Sequence, residues 1–125
     1  MLTKTLKNYP LSLICTLAIT ILSLAPIGAP EVAQDVPFFD KWAHFVMYGG
    51  LSFLLFLESH KRPITLPLAI SLLLYACLLG GLMEIGQATL TTYRSGEWLD
   101  FVADSIGVLL GCPIALLAKK YFPSH

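Results

Sequence analysis

The sequence predicts an all-α, polytopic membrane protein with four transmembrane helices and both termini in the cytoplasm. Three observations carry that prediction. Of the 125 residues, 56% are hydrophobic and only 13% are charged, against about a quarter charged in an ordinary soluble domain. The apolar residues gather into four segments, about 10–26, 41–58, 64–88 and 99–118, separated by short polar breaks. The basic residues are distributed unevenly between those breaks. Lys4, Lys7, Lys61, Arg62, Lys119 and Lys120 fall at the N-terminus, the second connection and the C-terminus, while the first and third connections hold only Lys41 and Arg94. Such asymmetry is expected when Lys and Arg stay on the cytoplasmic side. The formal net charge is zero, so the chain lacks the basic balance of a nucleic-acid binder. With no internal repeat and no long linker, residues 1–125 read as a single domain.

The first segment opens at Pro10, which suits a first helical turn, and Pro26 ends it. It is short for a crossing of about 30 Å and would stand nearly upright or thin the bilayer. Lys4 and Lys7 before an apolar run also fit a signal sequence. Cleavage after Ala25 or Ala29 would leave Pro26 or Pro30 beside the cut, so an uncleaved signal-anchor is expected. Ser12, Thr16, Thr20 and Ser23 form a stripe of small hydroxyl side chains suited to helix packing. The first connection is rich in proline and acid, and Phe38, Phe39 and Trp42 follow it as an interfacial aromatic belt.

The second segment, DKWAHFVMYGGLSFLLFL, starts with titratable and aromatic side chains and ends as hydrocarbon. Asp40, His44 and Tyr48 are spaced i, i+4, i+8 and share one face. The turn that follows, 58–63, is short enough to make the second and third helices antiparallel neighbours, and it carries no evident chemistry.

On the third segment, Cys77, Gly80, Glu84, Gln87 and Thr91 lie within about 60° of one another at 100° per residue. Glu84 falls a turn or two inside the boundary, a costly depth for a carboxylate that faces lipid. The fourth segment repeats the device, with Asp100, Asp104, Gly107, Gly111 and Ala115 on one face. Two acids thus top a seam of small residues along which a second helix can pack. Asp100 also suits a helix N-terminus. Cys15, Cys77 and Cys112 each sit inside an apolar segment, an odd number without pairing by spacing, and are expected to be packing residues.

In the predicted topology the top of the second helix, the end of the third and the start of the fourth lie on one side, facing outward. Asp40, Glu84, Glu97, Asp100 and Asp104 would then oppose Lys41 and Arg94, with His44 able to take either charge state. Carboxylates in such a setting are protonated or neutralised by a cation. The donors would suit a divalent ion, but no compact ligand motif such as HExxH is present and no metal ligand is assigned. For catalysis, His44 could act as a base, with Glu84, Asp100 and Asp104 as further candidates. Lys41 or Arg94 could hold a phosphate and Tyr48 could donate a proton. No GxSxG, phosphate-binding glycine loop or reactive cysteine setting supplies a nucleophile.

In these stretches the chain resembles the VanZ-like family of small bacterial membrane proteins. The matching residues are DKWAHFVMYGGL (Asp40, Lys41, His44, Tyr48, Gly49), GGLMEIGQ (Gly81, Glu84, Gln87) and RSGEWLDFVADSIGVLLG (Arg94, Trp98, Asp100, Gly107, Gly111). They correspond to family patterns DK-x-x-H-x-x-x-Y, E-x-x-Q and R-x-x-x-x-x-D-x-x-x-N-x-x-G, in the same order and spacing. One position departs: Asp104 stands where the family usually has asparagine, adding a titratable group. The resemblance implies a multi-pass protein of the bacterial cytoplasmic (inner) membrane with an outward-facing polar site. The family is named for an accessory protein of teicoplanin-type glycopeptide resistance, although many relatives stand outside resistance clusters.

Two functions of different class follow. One is an envelope protein whose pocket, built from Asp40, Lys41, His44, Tyr48, Glu84, Gln87, Arg94, Asp100 and Asp104, binds a lipid headgroup, a lipid-linked cell-wall precursor or a partner. The other is a membrane-embedded hydrolase or transferase acting on a lipid-linked phosphate or sugar. An ion-coupled carrier fits less well, because its acids would lie near mid-bilayer rather than at one boundary.

Overall fold

The structure, a computed structural model, describes residues 7–24, 39–59, 63–90 and 98–121, apart from the side chain of Asp40. Among the described residues the fold is all-α, built on four long helices: α1 (Pro10–Leu24), α2 (Phe39–Glu58), α3 (Leu66–Leu90) and α4 (Trp98–Tyr121). Each boundary lies within a few residues of its sequence-based expectation. Lengths of 25 and 24 residues make α3 and α4 each about 36 Å or more at 1.5 Å per residue, enough to span hydrocarbon. Both are long and apolar enough to cross a membrane, while α1, at 15 residues, is a shorter apolar helix.

Local chemistry sets the helix ends. Pro10 occupies the first turn of α1, where its missing N–H would have had no helical partner. Thr65 precedes α3 and accepts from the Leu68 N–H at 3.4 Å through its hydroxyl, as an N-capping threonine does. Asp100 in the first turn of α4 and Lys119 and Lys120 in its last complement the helix dipole at both ends. Pro113 lies inside α4 without ending it.

Successive helices run antiparallel. Glu58 at the end of α2 meets Ser12 at the start of α1, Glu84 near the end of α3 meets His44 near the start of α2, and Asp104 meets Gly80 across α4 and α3. Helices α2 and α4 run parallel and make the most extensive contact of the bundle. That contact depends on glycine. A Cβ on Gly107 would collide with the carbonyl oxygen of Phe45 and stand 3.0 Å from the Gly49 amide nitrogen. One on Gly111 would collide with the Gly49 carbonyl and stand 2.8 Å from the Ser52 Cβ. The two backbones therefore touch, and Ser52 adds a hydrogen bond of 2.7 Å to the Val108 carbonyl.

Polarity runs opposite to that of a water-soluble domain. Ile14, Val46, Leu78, Leu82 and Leu109 are all more than half exposed, whereas Asp104 is 0% and His44 7% exposed. A surface of this kind needs an apolar solvent, and an interior of this kind needs internal partners.

Candidate functional site

Three helices bring titratable side chains to the end of the bundle formed by the start of α2, the end of α3 and the start of α4. His44 projects from α2, Glu84 from α3, Asp100 and Asp104 from α4, and all four are buried. The i, i+4 spacing of Asp100 and Asp104 puts both acids on the face that continues as Gly107, Gly111 and Ala115, each buried as well. On α3 the buried face runs through Leu72, Ala76, Gly80, Glu84 and Gln87.

His44 is the hub. Its Nδ1 is 2.7 Å from Asp104 Oδ1 and 3.8 Å from Glu84 Oε1, and its Nε2 is 3.7 Å from Asp100 Oδ2. Only the first is a hydrogen bond. Asp100 is held from outside by Lys41, whose Nζ lies 3.1 Å from Oδ1. The second oxygen of Asp104 is fully buried without a hydrogen-bond partner among the described residues. Room for Asp104 comes from Gly80, where a Cβ would stand 2.9 Å from that oxygen.

Tyr48, one turn along α2, stacks its ring parallel to His44 with centroids 6.3 Å apart. It is fully buried, and its hydroxyl has no hydrogen-bond partner among the described residues. Gln87 turns elsewhere, its amide donating 3.0 Å to the Ser23 carbonyl on α1. That bond ties α3 to α1. Arg94, Glu97 and the Asp40 side chain lie outside the described residues.

The VanZ/LLP1 family model matches residues 3–119, nearly the whole chain. The chain belongs to the VanZ/LLP1 family. Comparisons with curated proteins and with solved structures gave no match. Membership and the apolar exterior together make this VanZ/LLP1 chain a membrane protein.

One residue of the VanZ/LLP1 chain lies outside every motif in its sequence. Glu58, in the turn expected to be without chemistry, is buried and binds the start of α1. Its Oε2 accepts from the Leu11 N–H at 2.9 Å, and its Oε1 from the Ser12 N–H at 2.6 Å and the Ser12 hydroxyl at 2.7 Å. The carboxylate thus caps another helix. Next to it, the Ser59 hydroxyl donates to the Leu55 carbonyl, so Tyr9 is the donor in its 2.8 Å bond to Ser59. A cavity of ≈ 470 Å³ opens at this end, between α1 and α3, lined by Tyr9, Ser12, Thr65, Ser71 and Tyr75 among others. Among the described residues its lining presents hydroxyls and hydrocarbon, with no acid or histidine, and it lies away from the His44 cluster.

Proposed function

We propose that this protein spans the bacterial cytoplasmic membrane four times, with both termini inside. Its His44 cluster then faces outward and receives the polar head of a membrane lipid or lipid-linked cell-wall precursor. The observation that carries the reading is the burial of His44, Glu84, Asp100 and Asp104 in a bundle whose outside is hydrocarbon. Charged groups are expensive there unless they meet a partner. Carboxylates suit the hydroxyl and amine donors of a sugar or amine headgroup, and Lys41 and Arg94 suit its phosphate. The orientation is supported by the Lys and Arg distribution: Lys119 and Lys120 close α4 at the end remote from Asp100.

Native mass spectrometry of the protein released from membranes tests the headgroup. A co-purified lipid is expected on the wild type and should be lost from H44A, E84A and D100A; its retention in all three rejects the cluster as its site. For orientation, a maleimide that does not cross the membrane should label A29C but not S124C in intact cells.

The short His44–Asp104 contact favours a second reading. A carboxylate on Nδ1 orients an imidazole and raises its competence as a base at Nε2. Hydrolysis of, or transfer from, a lipid-linked phosphate or sugar would use that base with water. Turnover of polyprenyl-phosphate or phospholipid by the purified protein, lost in H44A, would establish it.

A further inference from the structure

We propose that His44, Glu84 and Asp100 bind one divalent cation with nitrogen and oxygen ligands, of the Mn2+ or Zn2+ class, and that Asp104 positions the histidine for it. One ring nitrogen of His44, one oxygen of Glu84 and one of Asp100 all lie within 4.8 Å of one another. They come from three different helices, and all three side chains are buried. Metal–ligand bonds of about 2.0–2.2 Å put two ligand atoms at most about 4.4 Å apart. Those three atoms need to draw in by only a few tenths of an ångström, and with Nε2 as the ligand the Glu84 carboxylate, whose Oε1 lies 3.8 Å from Nδ1, shifts toward Nε2.

Asp104 makes the histidine fit for this. Its Oδ1, 2.7 Å from Nδ1, takes the proton on that nitrogen and leaves the Nε2 lone pair as the ligand. Nε2 faces Asp100 Oδ2 at 3.7 Å, too far for a hydrogen bond and close to the spacing of two ligands on a single ion. Carboxylate, imidazole and metal in line is the usual way a ligating histidine is held.

Two further observations point to an occupant. Asp104 Oδ2 and the Tyr48 hydroxyl are fully buried, and neither has a hydrogen-bond partner among the described residues. Tyr48 stacks on His44 with ring centroids 6.3 Å apart. Water on a bound ion supplies a donor for the Asp104 oxygen and an acceptor for the Tyr48 hydroxyl.

The ion does not require the headgroup, so the two readings fail separately: a lipid can be lost while the ion stays. The full chain is purified in detergent, stripped with chelator and titrated with Mn2+, with free Mn2+ read by electron paramagnetic resonance. One Mn2+ per chain is expected, displaced by Zn2+. H44A and the double variant E84Q/D100N should bind at least about 10-fold more weakly, and D104N about 10- to 100-fold more weakly as a loss of positioning. If the wild type binds no more Mn2+ than E84Q/D100N, the site is overturned. Should a variant fail to fold, the wild type alone decides the matter. Mn2+ should broaden the ring resonances of His44 before those of His60 and His125, and equal broadening of all three rejects the site.

Discussion

The bundle buries carboxylates at both ends, and the ends treat them differently. Glu58 has both oxygens engaged by neutral donors at the start of α1: two backbone N–H groups and a hydroxyl. At the other end Glu84, Asp100 and Asp104 crowd around the His44 imidazole, with Lys41 on Asp100, and an Asp104 oxygen has no hydrogen bond among the described residues. Burial of an acid is therefore not what marks a site. Glu58 is fully used in holding two helices together, whereas the His44 cluster has bonding capacity left over.

Truncating the saturated end should have the largest effect. In Glu58→Ala the α1 amides of Leu11 and Ser12 lose a charged acceptor, and at 1.5–3 kcal/mol for each such bond the stability loss should reach ~3 kcal/mol. Thermal unfolding in detergent measures it; a midpoint within error of wild type would erase the distinction between the ends.

Next comes the seam between α2 and α4. Gly107→Ala drives a methyl group into the Phe45 carbonyl, beside His44, and forced overpacking costs about 1–3 kcal/mol. Hydrogen exchange should rise along α2 near His44 and stay unchanged at Leu11 and Ser12. Faster exchange at both ends would mean that they are not independent.

Asp104→Asn should have a smaller effect of opposite sign. The amide oxygen still accepts from His44 Nδ1 while a buried charge disappears, so stability should hold or rise by about 1 kcal/mol. A loss as large as that of Glu58→Ala would show that Asp104 is used as completely as Glu58. Smallest of all is Gly50→Ala, where an added Cβ meets nothing within 4 Å. A neutral result or a gain of about 0.5 kcal/mol from helix propensity is expected in the same melt.

The contrast between the ends was only half visible in the sequence. Asp100, Asp104, Gly107, Gly111 and Ala115 declare a shared face by spacing alone, because helical periodicity is local. His44 and Glu84 could be placed at the same end because alternating helices carry the start of α2 and the end of α3 to one level. Glu58 gave no such sign. It closes an apolar run beside other polar residues, and its partners are 46 and 47 residues earlier in the chain. No periodicity links an acid to the open amides of another helix. Gln87 shares a face with Glu84 by spacing, but its bond to the Ser23 carbonyl on α1 is long-range and has no sign in the sequence. The seam on α4 was legible, but its match to Gly49 rather than to the neighbouring Gly50 depends on how the helices are rotated.

Where Gly107 and Gly111 rest on the carbonyls of Phe45 and Gly49, α2 and α4 are keyed together like a tongue in a slot. Neither can slide past the other by a residue or roll about its axis without main chain striking main chain. His44 and Asp104 sit immediately beside this joint. Their alignment is inherited from rigid rods in direct touch, so no loop has to maintain it.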